Sequence, residues 1–147
     1  MARIPPVVKV TKDNVEYISR VDRTNYLIEE LVRSALRDVG KFLRRRMLDK
    51  VRKLPGMKRG PRPRNAFQYW VRRRDGDLWI GIKHNTWYGV QQELGSKNQP
   101  KRSIVRDTTF ENIDEIRRIE GQYLSAVEDE NKALGLIDPE NDGSDDQ

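Results

Sequence analysis

One long helical pattern dominates the first half of this sequence. From about Thr24 to Leu54, apolar residues repeat at helical spacing and fall on one face at about 100° per residue. The residues of this stripe are Leu27, Ile28, Leu31, Ala35, Val39, Phe42 and Leu43. Thr24 is the predicted N-cap, and Pro55-Gly56 is the predicted stop. A helix of this length would span about 46 Å at 1.5 Å per residue, so the domain is expected to be elongated.

The apolar stripe is predicted to break past Arg44. Arg46 occupies a position where an apolar residue would be expected, while Leu48 and Val51 move to the other side. The second half of the helix is therefore expected either to bend or to bury a different face, for which another subunit is one candidate.

A β-hairpin is predicted from Ala66–Arg74 and Asp77–His84 around the turn pair Asp75-Gly76. That turn would place Arg74 opposite Asp77. One face then carries Phe67, Tyr69, Val71, Leu78, Ile80 and Ile82 and is the predicted core face, while the other carries Gln68, Trp70, Arg72, Arg74, Trp79 and Lys83. Two tryptophans among cations do not suit a fully solvated face. Three coverings remain open: the chain's own C-terminal helix, a partner chain, or stacked nucleic acid bases.

The remaining elements are shorter. The patterns predict a strand at Val7–Thr11, a helical turn at Asn14–Ser19, a helix at Thr86–Leu94 ended by Gly95, and a last helix that the capping box Thr108-x-x-Glu111 starts. The expected fold class is α+β: a long N-terminal helix and a C-terminal helix packed on a small antiparallel sheet built around a β-hairpin.

The net charge of +6 conceals two blocks of opposite sign. Between Lys41 and Arg74 there are 14 Lys and Arg residues and one acid, Asp49, which gives +13, whereas residues 128–147 hold eight acids and one lysine, which gives −7. The basic block is either solvated surface or a surface that faces a polyanion. The acidic block is predicted to be a largely disordered tail, so residues 1–127 are the expected single domain.

Several function classes find no support in the sequence. There is no cysteine and one histidine, which argues against thiolate or polyhistidine metal sites and against hydrolase triads. No phosphate-binding loop, dinucleotide fingerprint or hydrolase motif is present, so we expect no enzymatic activity and no cofactor. We also expect no membrane span and no signal peptide.

The segment from Tyr88 to Asp107, YGVQQELGSKNQPKRSIVRD, carries a family resemblance. It resembles the signature of the neck and tail-completion proteins of tailed phages of the Hong Kong lambda-like type. The matching positions are Tyr88-Gly89, Glu93, Leu94-Gly95, Ser96 and Pro100. The predicted order of strand, long helix, hairpin, motif and C-terminal helix agrees with that family over roughly residues 7–127.

The resemblance implies a structural virion protein without catalytic activity. Such a protein would form a homo-oligomeric ring, hexameric or dodecameric, in the neck between the head connector and a tail-terminator or tail-tube protein. Genome DNA would pass through its channel without specific binding. The alternative is a small basic nucleic-acid-binding module, based on the +13 block and the tryptophans.

The residues predicted to contact a subunit or partner come from three segments. They are Trp70, Arg72 and Trp79 on the hairpin, Tyr88 and Glu93 in the motif, and Lys58, Arg59, Arg62 and Arg64 in the basic loop Met57–Asn65. The loop is expected to reach an acidic protein surface rather than DNA, because cations that grip phosphates would hinder passage of the genome.

Overall fold

The computed structural model describes residues 4–54, 66–83, 87–98 and 100–137. The described elements are β1 (Val8–Lys12), β2 (Val15–Ser19), α1 (Val21–Arg52), β3 (Phe67–Arg72), β4 (Asp77–Ile82), α2 (Trp87–Leu94), α3 (Ile104–Glu111), α4 (Ile113–Leu124) and α5 (Glu130–Leu136). β1 pairs with β2 and β3 with β4, each pair forming an antiparallel two-stranded sheet. The expected α+β class is confirmed, with the long helix and the C-terminal helices around a β-hairpin.

Helix α1 is the element on which the others pack. It begins at Val21, three residues before the predicted start, and Arg20 occupies the N-cap position without a side-chain cap. Thr24 is therefore not the cap; its backbone N–H instead donates to the Arg20 carbonyl at 2.9 Å. β3, β4, α3, α4 and α5 all pack against α1.

The buried stripe of α1 runs without interruption to its last turn but moves gradually around the helix, so the expectation that the second half buries a different face is confirmed. The most buried side chains recur every four residues: Leu27, Leu31, Ala35, Val39, Leu43, Met47 and Val51. Four residues turn a helix by about 400°, so each step moves the stripe about 40° around the axis. A search for apolar residues on one fixed face at 100° per residue does not detect this stripe, because the neighbouring elements pack against successive sides of the helix.

Two hydrophobic clusters lie along α1. One joins Val39, Leu43, Met47 and Val51 to Ala66, Phe67 and Ile104. The other joins Leu31 and Ala35 to Tyr123, Ala126 and Ala133. The second half of α1 is thus buried by the chain's own hairpin and α3, and the expectation that it buries a face against another subunit is unnecessary for this stripe.

The β3–β4 hairpin has the predicted two faces but a different register. Arg72 rather than Arg74 pairs with Asp77, which leaves the four-residue loop 73–76. A two-residue type I′ turn needs positive φ at both central residues, and of Asp75 and Gly76 only Gly76 has it, at +66°. The slip is two residues, so every side chain keeps its predicted face.

The N-terminal segment forms a second hairpin. The predicted strand is present as β1, but the helical turn predicted at Asn14–Ser19 is wrong, because residues 15–19 form β2. Asp13 and Asn14 connect the strands with φ of 52° and 63°. Positive φ at both positions is the two-residue hairpin geometry that Asp and Asn tolerate well.

The C-terminal third is more finely divided than predicted. Its first helix begins at Ile104, and Asn112 separates it from α4. The capping box is therefore wrong: Thr108 lies inside α3 and is fully buried, and Glu111 forms an ion pair with Lys50 at 2.7 Å.

The predicted acidic tail contains an ordered helix. α5 lies within residues 128–147, and Ala133 is buried against α1. The Glu130 carboxylate pairs with the Arg23 guanidinium. The folded domain thus extends at least to Ile137, beyond the predicted boundary at residue 127, while residues 138–147 lie outside the described part of the chain.

Within the described ranges, none of the helices combines the length and the apolar composition that crossing a membrane requires.

Candidate assembly surfaces

Trp70 and Trp79 stand directly opposite each other on the outer face of β3 and β4. They are 56% and 53% exposed, whereas Phe67 on the opposite face is 4% exposed. No described part of the chain buries this pair, so the C-terminal helix does not cover it as one alternative had it. We name Trp70, Trp79 and Arg72 the tryptophan face.

Arg72 completes the tryptophan face. Its guanidinium carbon lies 5.0 Å from the centroid of the Trp79 ring, within the range of a cation–π contact. The same guanidinium pairs with Asp75 at 2.9 Å, which fixes its orientation over the ring. Tryptophan and arginine are the residues most enriched among the energetic centres of protein interfaces.

Glu93 joins α2 to α3. Its carboxylate accepts hydrogen bonds from the backbone N–H groups of Val105, at 3.0 Å, and Arg106, at 3.3 Å. These are first-turn N–H groups of α3, which have no partner within the helix and carry its positive dipole end. The carbonyl of Glu93 also accepts from the N–H of Ser103 at 3.3 Å.

Gly95 is required between these two helices. It follows α2 with φ of +82°, as predicted for a residue that ends a helix. A Cβ atom at this position would lie 3.0 Å from the backbone nitrogen of Lys101. Glu93 and Gly95 of the motif thus have internal structural roles, Glu93 in capping α3 and Gly95 in turning the chain after α2.

The other predicted contact residues come from α2 and from the basic loop. Tyr88 lies in the first turn of α2, the helix that also carries Glu93. Lys58, Arg59, Arg62 and Arg64, with the loop that holds them, lie outside the described residues.

Part of the +13 block is engaged inside the chain. Arg44 donates from Nε to the carbonyl of Phe67 at 3.0 Å, and Arg46 lies over the Phe42 ring at 5.3 Å. Lys50 pairs with Glu111, and Arg52 pairs with Asp49 at 3.5 Å. The contacts of Arg44 and Lys50 join α1 to other elements, and those of Arg46 and Arg52 lie within α1, so these side chains have partners in the chain without a polyanion.

The β1–β2 hairpin, which we name the N-terminal arm, carries an apolar face that the sequence reasoning missed. Val8, Val10, Val15 and Tyr17 share one side of it, and they are 45–67% exposed. The missed signal was the alternation of apolar residues at a spacing of two on both sides of Asp13-Asn14.

An apolar groove runs between α1 and α4. The groove has a volume of about 220 Å³, below the roughly 300–1,000 Å³ of small-molecule pockets. Its walls are formed by Ile28, Leu31, Val32, Ala35 and Leu36 from α1 and by Glu120, Tyr123, Leu124 and Val127 from α4 and the residues after it. We name it the α1–α4 groove.

No family model, curated protein or solved structure matches this chain.

Tyr123 closes the floor of the groove. Its hydroxyl donates to the Asp38 carboxylate on α1. Burial, and then this hydrogen bond, raise the pKa of Tyr123 well above its ordinary value. The hydroxyl is thus kept neutral and serves to join α4 to α1.

The described residues also offer no metal centre, since nowhere in residues 4–54, 66–83, 87–98 or 100–137 do three His, Asp or Glu side chains gather as ligands. What the geometry presents instead is three exposed surfaces with apolar centres: the tryptophan face, the N-terminal arm and the α1–α4 groove.

Proposed function

We propose that this protein is a non-catalytic assembly subunit of a tailed-phage virion. It forms a homo-oligomeric ring in the neck, joins the head connector to the tail, and leaves a channel through which DNA passes. The observation that carries the assembly role is the exposed Trp70–Trp79 pair, with Arg72 over the Trp79 ring.

The tryptophan face is suited to burial by another chain. Half of a tryptophan's roughly 200 Å² leaves about 200 Å² of exposed aromatic surface for the pair. At about 25 cal/mol per Å², covering this surface would contribute about 5 kcal/mol before the costs of association. That is a large gain from two residues, and it supports a specific protein contact.

The motif from Tyr88 to Pro100 carries the finer part of the proposal, the place in the neck. It resembles the tailed-phage neck and tail-completion proteins, and the order of elements that accompanies it agrees with the described fold. In this role the ring lies between the head connector and a tail-terminator or tail-tube protein. The cations at Arg62 and Arg64 would face an acidic neighbour there.

The experiment is a charge introduced into the tryptophan face. Trp79→Glu should leave the subunit folded, with an unchanged circular dichroism spectrum, because the side chain is outside the core. It should abolish oligomers in light scattering and stop joining of heads to tails in a complementation assay. Gln122→Glu, an exposed change on α4, is the matched control and should behave as the parent does.

Normal assembly of Trp79→Glu would refute the proposed role of this face, and unfolding of the subunit would show that the pair is structural. A titration with duplex DNA tests the alternative function. The neck subunit should bind weakly with a shallow salt dependence, whereas tight binding with a steep log–log salt slope would favour the nucleic-acid-binding module.

A further inference from the structure

The N-terminal arm and the α1–α4 groove are complementary surfaces. We infer that the arm of one copy docks its apolar face into the groove of a second copy of this chain. This inference rests on the proposed function, since it names a second contact, besides the tryptophan face, between the subunits of the ring.

The pairing of β1 with β2 makes the arm amphipathic. Val10 pairs with Tyr17, and Val8 and Val15 lie on the same side of the hairpin. The opposite side carries Lys9, Thr11, Glu16 and Ile18. A lone two-stranded hairpin is marginally stable in water, so an arm with four exposed apolar side chains on one side requires a surface to pack on.

The arm does not use the groove of its own chain. The apolar residues on both surfaces are exposed in the same subunit, with Val10 at 50% and Val32 at 44%. Arg20 alone separates the arm from α1, and the groove begins at Ile28, about 10 Å further along the helix. The exposed apolar side of the arm is therefore available to a neighbouring copy.

The two surfaces agree in length and in chemistry. The strand β1 extends about 14 Å from Val8 to Lys12, and the α1 side of the groove runs about 12 Å from Ile28 to Leu36. Charge is also complementary: Lys12 lies at the end of the arm's apolar face, and Glu120 lines the groove. The described structure contains no ion pair of either side chain.

An arm-to-groove contact has the symmetry that a ring requires. Each subunit offers one arm and one groove, and these are different surfaces, so the contact is heterologous and repeats from subunit to subunit. A groove of about 220 Å³ with almost wholly apolar walls suits the packing of a few side chains such as Val10 and Tyr17.

The absence of cysteine from the chain allows a direct test by cross-linking. Val10→Cys subunits are mixed with Val32→Cys subunits and oxidised mildly. A disulfide-linked dimer is expected in the mixture on a non-reducing gel. A chain with both substitutions should give a ladder of cross-linked oligomers that reductant removes. Thr11→Cys, on the other side of the arm, is the matched control and should not cross-link to Val32→Cys.

Each other outcome has a definite meaning. A double-cysteine chain that forms a disulfide only within itself would overturn the inference, because the arm would then occupy its own groove. Oligomers in light scattering without the expected cross-link would also overturn it, while the proposed ring would stand. A parent protein that stays monomeric at all concentrations would overturn both.

A charge exchange provides a second measurement that does not depend on disulfide geometry. Lys12→Glu and Glu120→Lys should each weaken self-association by about fivefold, the order expected of an exposed ion pair. The two changes together should restore it. Additive weakening in the double variant would show that the two side chains do not meet.

Discussion

The same substitution, glycine to alanine, is expected to have opposite effects in two helices of this protein. Gly40 is buried in the middle of α1, beneath the β3–β4 hairpin. A Cβ atom there would lie 2.5 Å from Cδ2 and 2.8 Å from Cγ of Tyr69, and 3.1 Å from Cδ1 of Leu78. At Gly121, in α4, a Cβ atom would meet nothing within 4 Å.

The magnitudes follow from these distances. Alanine gains roughly 0.5–1 kcal/mol over glycine in either helix. At Gly40 the base of the Tyr69 ring must also move by about 1 Å to restore carbon–carbon contacts of about 3.5 Å, and overpacking of this kind costs about 1–3 kcal/mol. We therefore expect Gly121→Ala to be stabilised, Gly40→Ala to be destabilised by about 1 kcal/mol, and the two to differ by about 2 kcal/mol.

Urea denaturation followed by circular dichroism measures both free energies of unfolding, provided that the two variants share one m-value. A double-mutant cycle then identifies the cause. In a Tyr69→Ala background, Gly40→Ala should become neutral or stabilising because the ring that it meets is gone. If Gly40→Ala stabilised the parent as much as Gly121→Ala does, the close approach of Tyr69 to α1 would be refuted.

Three further substitutions test contacts within the fold. Glu93→Ala should lower the melting temperature by about 3–7 °C, since it removes a cap worth about 1–2 kcal/mol, whereas Glu111→Ala, an exposed ion-pair control, should change it by under 2 °C. Tyr123→Phe should lower the free energy of unfolding by about 1 kcal/mol in urea denaturation. Because the folded pKa of Tyr123 is raised, the parent should lose stability above about pH 10, and the variant should lose less stability over the same range. Thr108→Val should be neutral or stabilising by up to about 1 kcal/mol, because the buried Thr108 hydroxyl has no hydrogen-bond partner in the described structure, and a clear loss in a thermal melt would contradict this.

Periodicity and turn preferences in the sequence predict those elements whose buried face is set by residues close in sequence. The first half of the α1 stripe, the two faces of β3–β4 and the end of α2 at Gly95 follow from periodicity and backbone preference. The tryptophan face was found in the same way, because alternation along a strand assigns each side chain to a face whatever the register.

The elements that were missed depend on contacts distant in sequence. Ser103 occupies the N-cap position of α3, but its side chain makes no capping hydrogen bond, and Glu93 of another helix accepts from the first turn instead. The buried side of α1 changes along its second half because Phe67 and Ile104 pack against a different side of the helix from Tyr123. The helix α5 was not predicted because the sequence around it is strongly acidic. Ala126 and Ala133 nonetheless supply small side chains that allow it to pack against α1.

The division of the core into two clusters along α1 has a consequence for how the subunit opens. Among the described residues, Ile119 is the side chain that packs against both clusters. With so little shared between them, the half formed by α5 and the start of α1 can exchange its amide hydrogens through partial opening while the half around Leu43 and Met47 stays closed. The groove is lined by Leu31, Ala35 and Tyr123 of the second cluster, so a neighbouring copy that binds there would slow the exchange of that half in particular.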